Sequence, residues 1–154
     1  MKKSDLLESI RLAFDGMEHP SAKIAPCECE ECRGLQAYLS QLPREAITKT
    51  DMDQFFNTAS METDLISDEA KIYYLPVLML SFLEEVNLDV LDNVLRILRL
   101  LRTHSEYSQT SYQREVIKQF LCFVLLNEAE YDPQGESIQG VNDVLQLLRS
   151  KESH

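Results

Sequence analysis

Leu88, Leu91, Leu95, Leu98 and Leu101 recur at steps of three and four residues, a spacing that places all five on one side of an α-helix. Asp89 and Asp92 stand near the start of this stretch and Arg96, Arg99 and Arg102 near its end, an order that complements the helix dipole. Asp92 and Arg96 also form a favourably ordered i,i+4 pair. The same period runs along most of the chain, runs of β-branched residues are nearly absent, and only four glycines interrupt 154 residues. These features predict an all-α fold: one compact domain of six or seven helices, large enough to bury a real core.

The end signals divide the chain. A first helix is expected after Ser4 as N-cap, with Leu6, Leu7, Ile10, Ala13 and Phe14 on its apolar face and Gly16 as its stop. Residues 17–33 read as a loop region that carries cysteines. A second helix bears Leu35, Tyr38, Leu39 and Leu42 and ends before Pro43. Thr50 and Asp53 have the spacing of an N-terminal cap for a short helix with Met52, Phe55 and Phe56. Ser67-Asp68-Glu69 opens a fourth helix over about 68–86, which Pro76 should kink or break, since its ring clashes with the Ile72 carbonyl and removes one backbone bond.

The leucine-striped helix follows over about 88–103. Thr110-Ser111-Tyr112-Gln113 has capping-box form and opens a sixth helix with Val116, Ile117, Phe120, Leu121, Phe123 and Val124. Its wide apolar circumference marks it as the expected central helix. Asp132-Pro133-Gln134-Gly135 reads as a turn. A last helix carries Ile138, Val141, Leu145 and Leu148, and 150–154 is expected to fray. No repeat or linker divides 1–154.

Charge narrows the partner classes. Asp and Glu number 26 against 15 Lys and Arg, a formal net charge of −11. Such a surface repels phosphates, which disfavours nucleic acid and anionic membranes as partners. A basic protein would instead be steered in, with an association that weakens in salt. The acidic candidates for that contact are Glu62, Asp64, Asp68, Glu69, Glu85 and Asp89, although carboxylates this abundant also simply solvate a face. The N-terminus, Met1-Lys2-Lys3-Ser4-Asp5, lacks the apolar run of a secretory signal, and no apolar stretch is long enough to span a bilayer, so a cytoplasmic location is expected.

Three of the four cysteines fall within six residues, Cys27-Glu28-Cys29-Glu30-Glu31-Cys32. The Cys29–Cys32 spacing lets two sulfurs face one tetrahedral ion, with Cys27 and His19 as candidates to complete a structural zinc site. A strong zinc signal needs two such pairs and only one is present, so three reduced, non-ligating thiols compete with the metal reading. A redox couple is disfavoured because no βαβ pattern accompanies the motif. Cys122, on a buried helix, reads as a small core hydrophobe.

The sequence contains no GxSxG, GxGxxG, Walker or HExxH motif. His104 follows a helix end, where an imidazolium is a favourable cap. Tyr73 and Tyr74 point about 100° apart on a helix, so one is expected in the core and one half-exposed. An enzymatic site near them is the least supported reading.

Cys29-Glu30-Glu31-Cys32, the segment Ser67-Asp68-Glu69-Ala70-Lys71-Ile72-Tyr73-Tyr74-Leu75-Pro76-Val77-Leu78, and Gln113 ahead of Phe120-Leu121 together carry a resemblance. The chain resembles a family of small bacterial proteins of unknown function with an N-terminal cysteine pair and a central Tyr-Tyr-Leu-Pro signature. Phe55-Phe56 stand where such proteins often carry a tryptophan. The resemblance spans most of residues 5–126 and implies a bacterial, soluble, helical protein. It brings no activity with it. The preferred functional expectation is a non-catalytic module that binds a basic partner, such as an immunity protein or inhibitor; the alternative is a zinc-binding module built on the cysteine cluster.

Overall fold

The computed structural model describes residues 1–20, 24–25, 28–51, 66–103 and 109–152. Within them all regular secondary structure is helical, and no strand occurs among the described residues. The helices are α1 (Lys3–Ala13), α2 (Glu30–Leu39), α3 (Asp68–Glu84), α4 (Leu88–Thr103), α5 (Ser111–Leu126), the single turn α6 (Glu128–Tyr131) and α7 (Ile138–Glu152). A 3-10 turn at Arg44–Ala46 links α2 to a helical start at residues 49–51.

Local signals account for most ends. Ser67 caps α3 by accepting the Ala70 N–H at 3.2 Å. Thr110 and Gln113 form the full capping box of α5: Thr110 Oγ1 accepts the Gln113 N–H and Gln113 Oε1 accepts the Thr110 N–H, both at 3.0 Å. Gly16 follows α1 at φ +77°, a backbone state that costs other L-residues about 1 kcal/mol or more.

Two expected caps move. Ser4 lies inside the first turn of α1, whose N-cap is Lys2. The Lys2 carbonyl accepts the Leu6 N–H at 3.1 Å, and Leu6 is fully buried, so packing sets this start in place of a side-chain cap. Thr50 is already helical; the reciprocal cap is Thr48 with Asp51. Met52, Asp53, Phe55 and Phe56 lie outside the described residues.

The most enclosed helix is α3, not α5. Tyr73, Tyr74, Leu75 and Pro76 are buried consecutively, more than a full turn, so α3 is covered on every side there. It packs against α1 and α4; α5 packs against α1 and α7, and α7 against α4. By contrast Leu126 at the end of α5 is 84% exposed. Helix α3 runs unbroken through Pro76. The lost backbone bond costs about 3 kcal/mol in an isolated helix, and burial of the flanking Leu75, Leu78 and Met79 on all sides offsets it.

Aromatic rings join the elements at the far end of the core. Phe82 of α3 meets Phe120 of α5 edge-on at 6.1 Å and Tyr131 of α6 at 5.3 Å. On the α4 side, Gly140 lets α7 approach closely: a Cβ there would stand 3.2 Å from Leu95 Cδ1. No described helix is long and apolar enough to cross a membrane.

Candidate functional site

Tyr73 and Tyr74 are both buried, 5% and 0% exposed, so the expected half-exposed ring is absent. The segment between α2 and the 3-10 turn covers them. Tyr74 donates its hydroxyl to the Leu42 carbonyl at 2.8 Å, and the Tyr73 hydroxyl accepts the backbone N–H of Arg44 at 3.2 Å. The Arg44 guanidinium lies over the Tyr73 ring, 4.8 Å from its centroid, and donates to the Phe14 carbonyl at 2.6 Å. Burial, then the neighbouring Tyr73 and Asp51, push the Tyr74 hydroxyl well above its ordinary range. A phenol so held stays neutral, and its hydrogen bond ties α3 to the chain leaving α2.

His19, a candidate zinc ligand, joins the same cluster. Its Nε2 donates to the Leu39 carbonyl at 3.2 Å and its ring meets Tyr73 edge-on at 5.0 Å. On the same helix α2, Tyr38 donates its hydroxyl to Asp51 Oδ1 at 2.6 Å, while Asp51 Oδ2 accepts from the Thr48 amide and hydroxyl, each at 2.9 Å. The Tyr38 hydrogen bond, then that of Thr48, holds the Asp51 carboxyl below its usual value; the same carboxylate raises Tyr38. These polar contacts bind chain segments to one another around α3.

Cys29 and Cys32 occupy the first turn of α2. Cys29 is the N-cap, exposed, with its Sγ accepting the Cys32 N–H at 3.4 Å; Cys32 is 1% exposed. The two-residue spacing that suggests a metal knuckle is therefore also the N-cap-to-N3 spacing, with sulfur standing where serine usually does. Glu30 and Glu31 occupy the acid-favouring first turn. Cys27 lies outside the described residues, and no three His, Cys, Asp or Glu side chains among those described converge as a metal site. Cys122 is half-buried, 3.8 Å from an Arg149 guanidinium nitrogen.

Of the acidic candidates, Glu62 and Asp64 lie outside the described residues, as does His104. The other four divide between opposite ends of α3. Asp68 and Glu69 start the helix, Asp68 sitting 3.7 Å from Lys71 Nζ. Glu85 and Asp89 stand at its far end, roughly 24 Å away at the helical rise per residue. There the structure gathers more carboxylates than sequence reasoning named. Glu84, Glu85, Asp89 and Asp92 are exposed along the α3–α4 corner.

The Ser137 hydroxyl donates to Asp92 Oδ1 at 3.3 Å, which brings the start of α7 to this corner, and the Tyr131–Phe82 contact brings α6. Both segments add exposed carboxylates: Glu128, Glu130 and Glu136. Arg11 and Lys49 reach in, to Glu84 at 3.8 Å and Glu85 at 2.9 Å. Two apolar side chains also stand exposed here, Leu126 at 84% and Val86 at 44%.

Buried beneath the corner, Asp132 holds it in shape. Its carboxylate is 1% exposed and accepts the N–H groups of Glu136 at 2.9 Å, Ser137 at 2.7 Å and Ile138 at 2.8 Å. One side chain thereby satisfies three amides at the start of α7 and places its charge at the positive end of that helix. Sequence reasoning found the turn but not this role. The available signal was an Asp opening a Pro-Gly turn just before a helix.

No protein-family model matches the chain, and no curated protein or solved structure matches it significantly.

Proposed function

We propose that this chain is a non-catalytic binding domain whose α3–α4 corner receives a basic protein, in the manner of an immunity protein or inhibitor. The observation that carries the reading is the corner itself, where seven exposed carboxylates from α3, α4, α6 and the start of α7 meet beside exposed Leu126 and Val86. Charge of one sign raises the encounter rate with an opposite surface and rejects like-charged competitors. Apolar side chains at the same place supply area that gains by leaving water. The engagement of Tyr73, Tyr74 and His19 with backbone groups supports a role in holding the fold.

Affinity capture from the native host on immobilised protein, followed by elution with rising salt, tests this. A basic protein should be retained, elute as salt increases, and be lost from an Asp89→Lys/Glu130→Lys double variant. Retention unaffected by either change would reject the reading.

A further inference from the structure

We propose that Cys29 and Cys32 are a dithiol–disulfide pair, oxidised across the first turn of α2 by exchange with neutral or cationic disulfides. The geometry places the two cysteines on one helical turn, with the Cys29 sulfur turned toward Cys32. Arg33 N–H bonds to the Cys29 carbonyl at 2.8 Å, which fixes both cysteines on one turn. Residues three apart on a helical turn have Cβ atoms about 5–6 Å apart, and a disulfide needs about 3.5–4.5 Å, so closing the bridge draws the turn in by about 1–2 Å. The Cys29 side chain already folds over the turn: its Sγ is 3.4 Å from the amide nitrogen of Cys32, an atom two bonds from the Cys32 Cβ. Side-chain rotation with a small tightening of this first turn brings the sulfurs together.

The burial of the two thiols differs in the sense that exchange requires. Cys29 is exposed and can meet an external disulfide; Cys32 is buried, shielded from that disulfide and one turn from Cys29. In the first step Cys29 gives its proton to water and its sulfur attacks the external disulfide, whose S–S bond breaks to release one thiolate that takes up a proton. In the second, Cys32 loses its proton and attacks Cys29 Sγ in the mixed disulfide, releasing the second thiol. Two protein thiols are oxidised and one external disulfide is reduced to two thiols. The flanking Glu28, Glu30 and Glu31 are exposed beside Arg33, so among the described residues flanking the pair acidic groups outnumber basic ones, which selects against anionic disulfides.

The test incubates the full chain with cystamine, a cationic disulfide, and in parallel with glutathione disulfide, which is anionic. Thiol blocking, intact mass and peptide mapping then follow the products. The expected result is a bridge between Cys29 and Cys32, formed several-fold faster with cystamine at low salt, with the two rates converging at high salt. The bridge should persist in Cys27→Ser and Cys122→Ser. Cys32→Ser should stop at a mixed disulfide on Cys29, and Cys29→Ser, which keeps a good helix cap, should form neither. A bridge from Cys29 to Cys27, no bridge with either disulfide, or protection of both thiols that only a chelator relieves would each overturn the proposal.

Discussion

Replacing Asp132 tests how the acidic corner is held. Its carboxylate is buried and accepts three amide protons from Glu136, Ser137 and Ile138. Asp132→Ala removes all three acceptors. Hydrogen bonds to a charged group contribute about 1.5–3 kcal/mol each when measured singly, and those sharing one carboxylate are not additive. Glu136 is exposed, so water can replace its acceptor, whereas Ser137 is only 7% exposed. A loss of about 3 kcal/mol follows, or roughly 6–12 °C in melting temperature for a domain of this size.

Asp132→Asn sharpens the test. Its one oxygen can occupy the Oδ2 position and keep the Ser137 and Ile138 bonds, leaving its NH2 against the exposed Glu136 amide. That variant should lose about 1 kcal/mol. Urea denaturation followed by circular dichroism measures both. A loss below about 1 kcal/mol for Ala, or equal losses for Ala and Asn, would refute the capping argument.

Other outcomes follow from the same kind of accounting. Gln113 serves twice, in the α5 capping box and through Nε2, which donates to the Ala13 carbonyl at 3.0 Å. Gln113→Ala should therefore cost about 1–2 kcal/mol in urea denaturation, and Gln146→Ala, on an exposed face of α7, much less. Acid should weaken the fold through Asp51, whose folded pKa is depressed by Tyr38 and Thr48. Its contribution is complete above the unfolded carboxyl value of about 4 and is lost as pH falls through the lower folded value. Tyr38→Phe should flatten that part of the stability–pH curve below about pH 4, and an unchanged curve would remove Tyr38 as the cause.

Much of the fold was legible because helix period and cap chemistry are local. The leucine stripe of α4, the Ser67 cap and the Thr110–Gln113 box each lie within a few residues of sequence. The exceptions are decided by distant segments. Tyr73 and Tyr74 are both buried because residues around Leu42 and Arg44, some thirty positions earlier, fold over them. Helix α3 becomes the enclosed one for the same reason. The Cys29–Cys32 spacing was legible, but sulfur as a helix cap was not, since metal knuckles and N-caps share that interval.

The proposed binding surface was only partly visible. Glu85 and Asp89 were named and Asp92 lies one turn on from Asp89, yet their joining with Glu128, Glu130 and Glu136 depends on Ser137 meeting Asp92 and Tyr131 meeting Phe82. Asp68 and Glu69, chosen with them from the same charge argument, sit at the opposite end of α3. A helix of that length separates what a count of carboxylates lumps together.

The most direct measurement is the association rate of the captured basic partner with the protein and its charge-reversed variants, followed across ionic strength. Asp89→Lys/Glu130→Lys should slow association about tenfold or more at low salt, with the difference shrinking as salt rises, while Glu69→Lys at the other end of α3 leaves the rate nearly unchanged. Equal slowing by reversal at either end, or rates indifferent to salt, would contradict the claim that the α3–α4 corner is the binding surface.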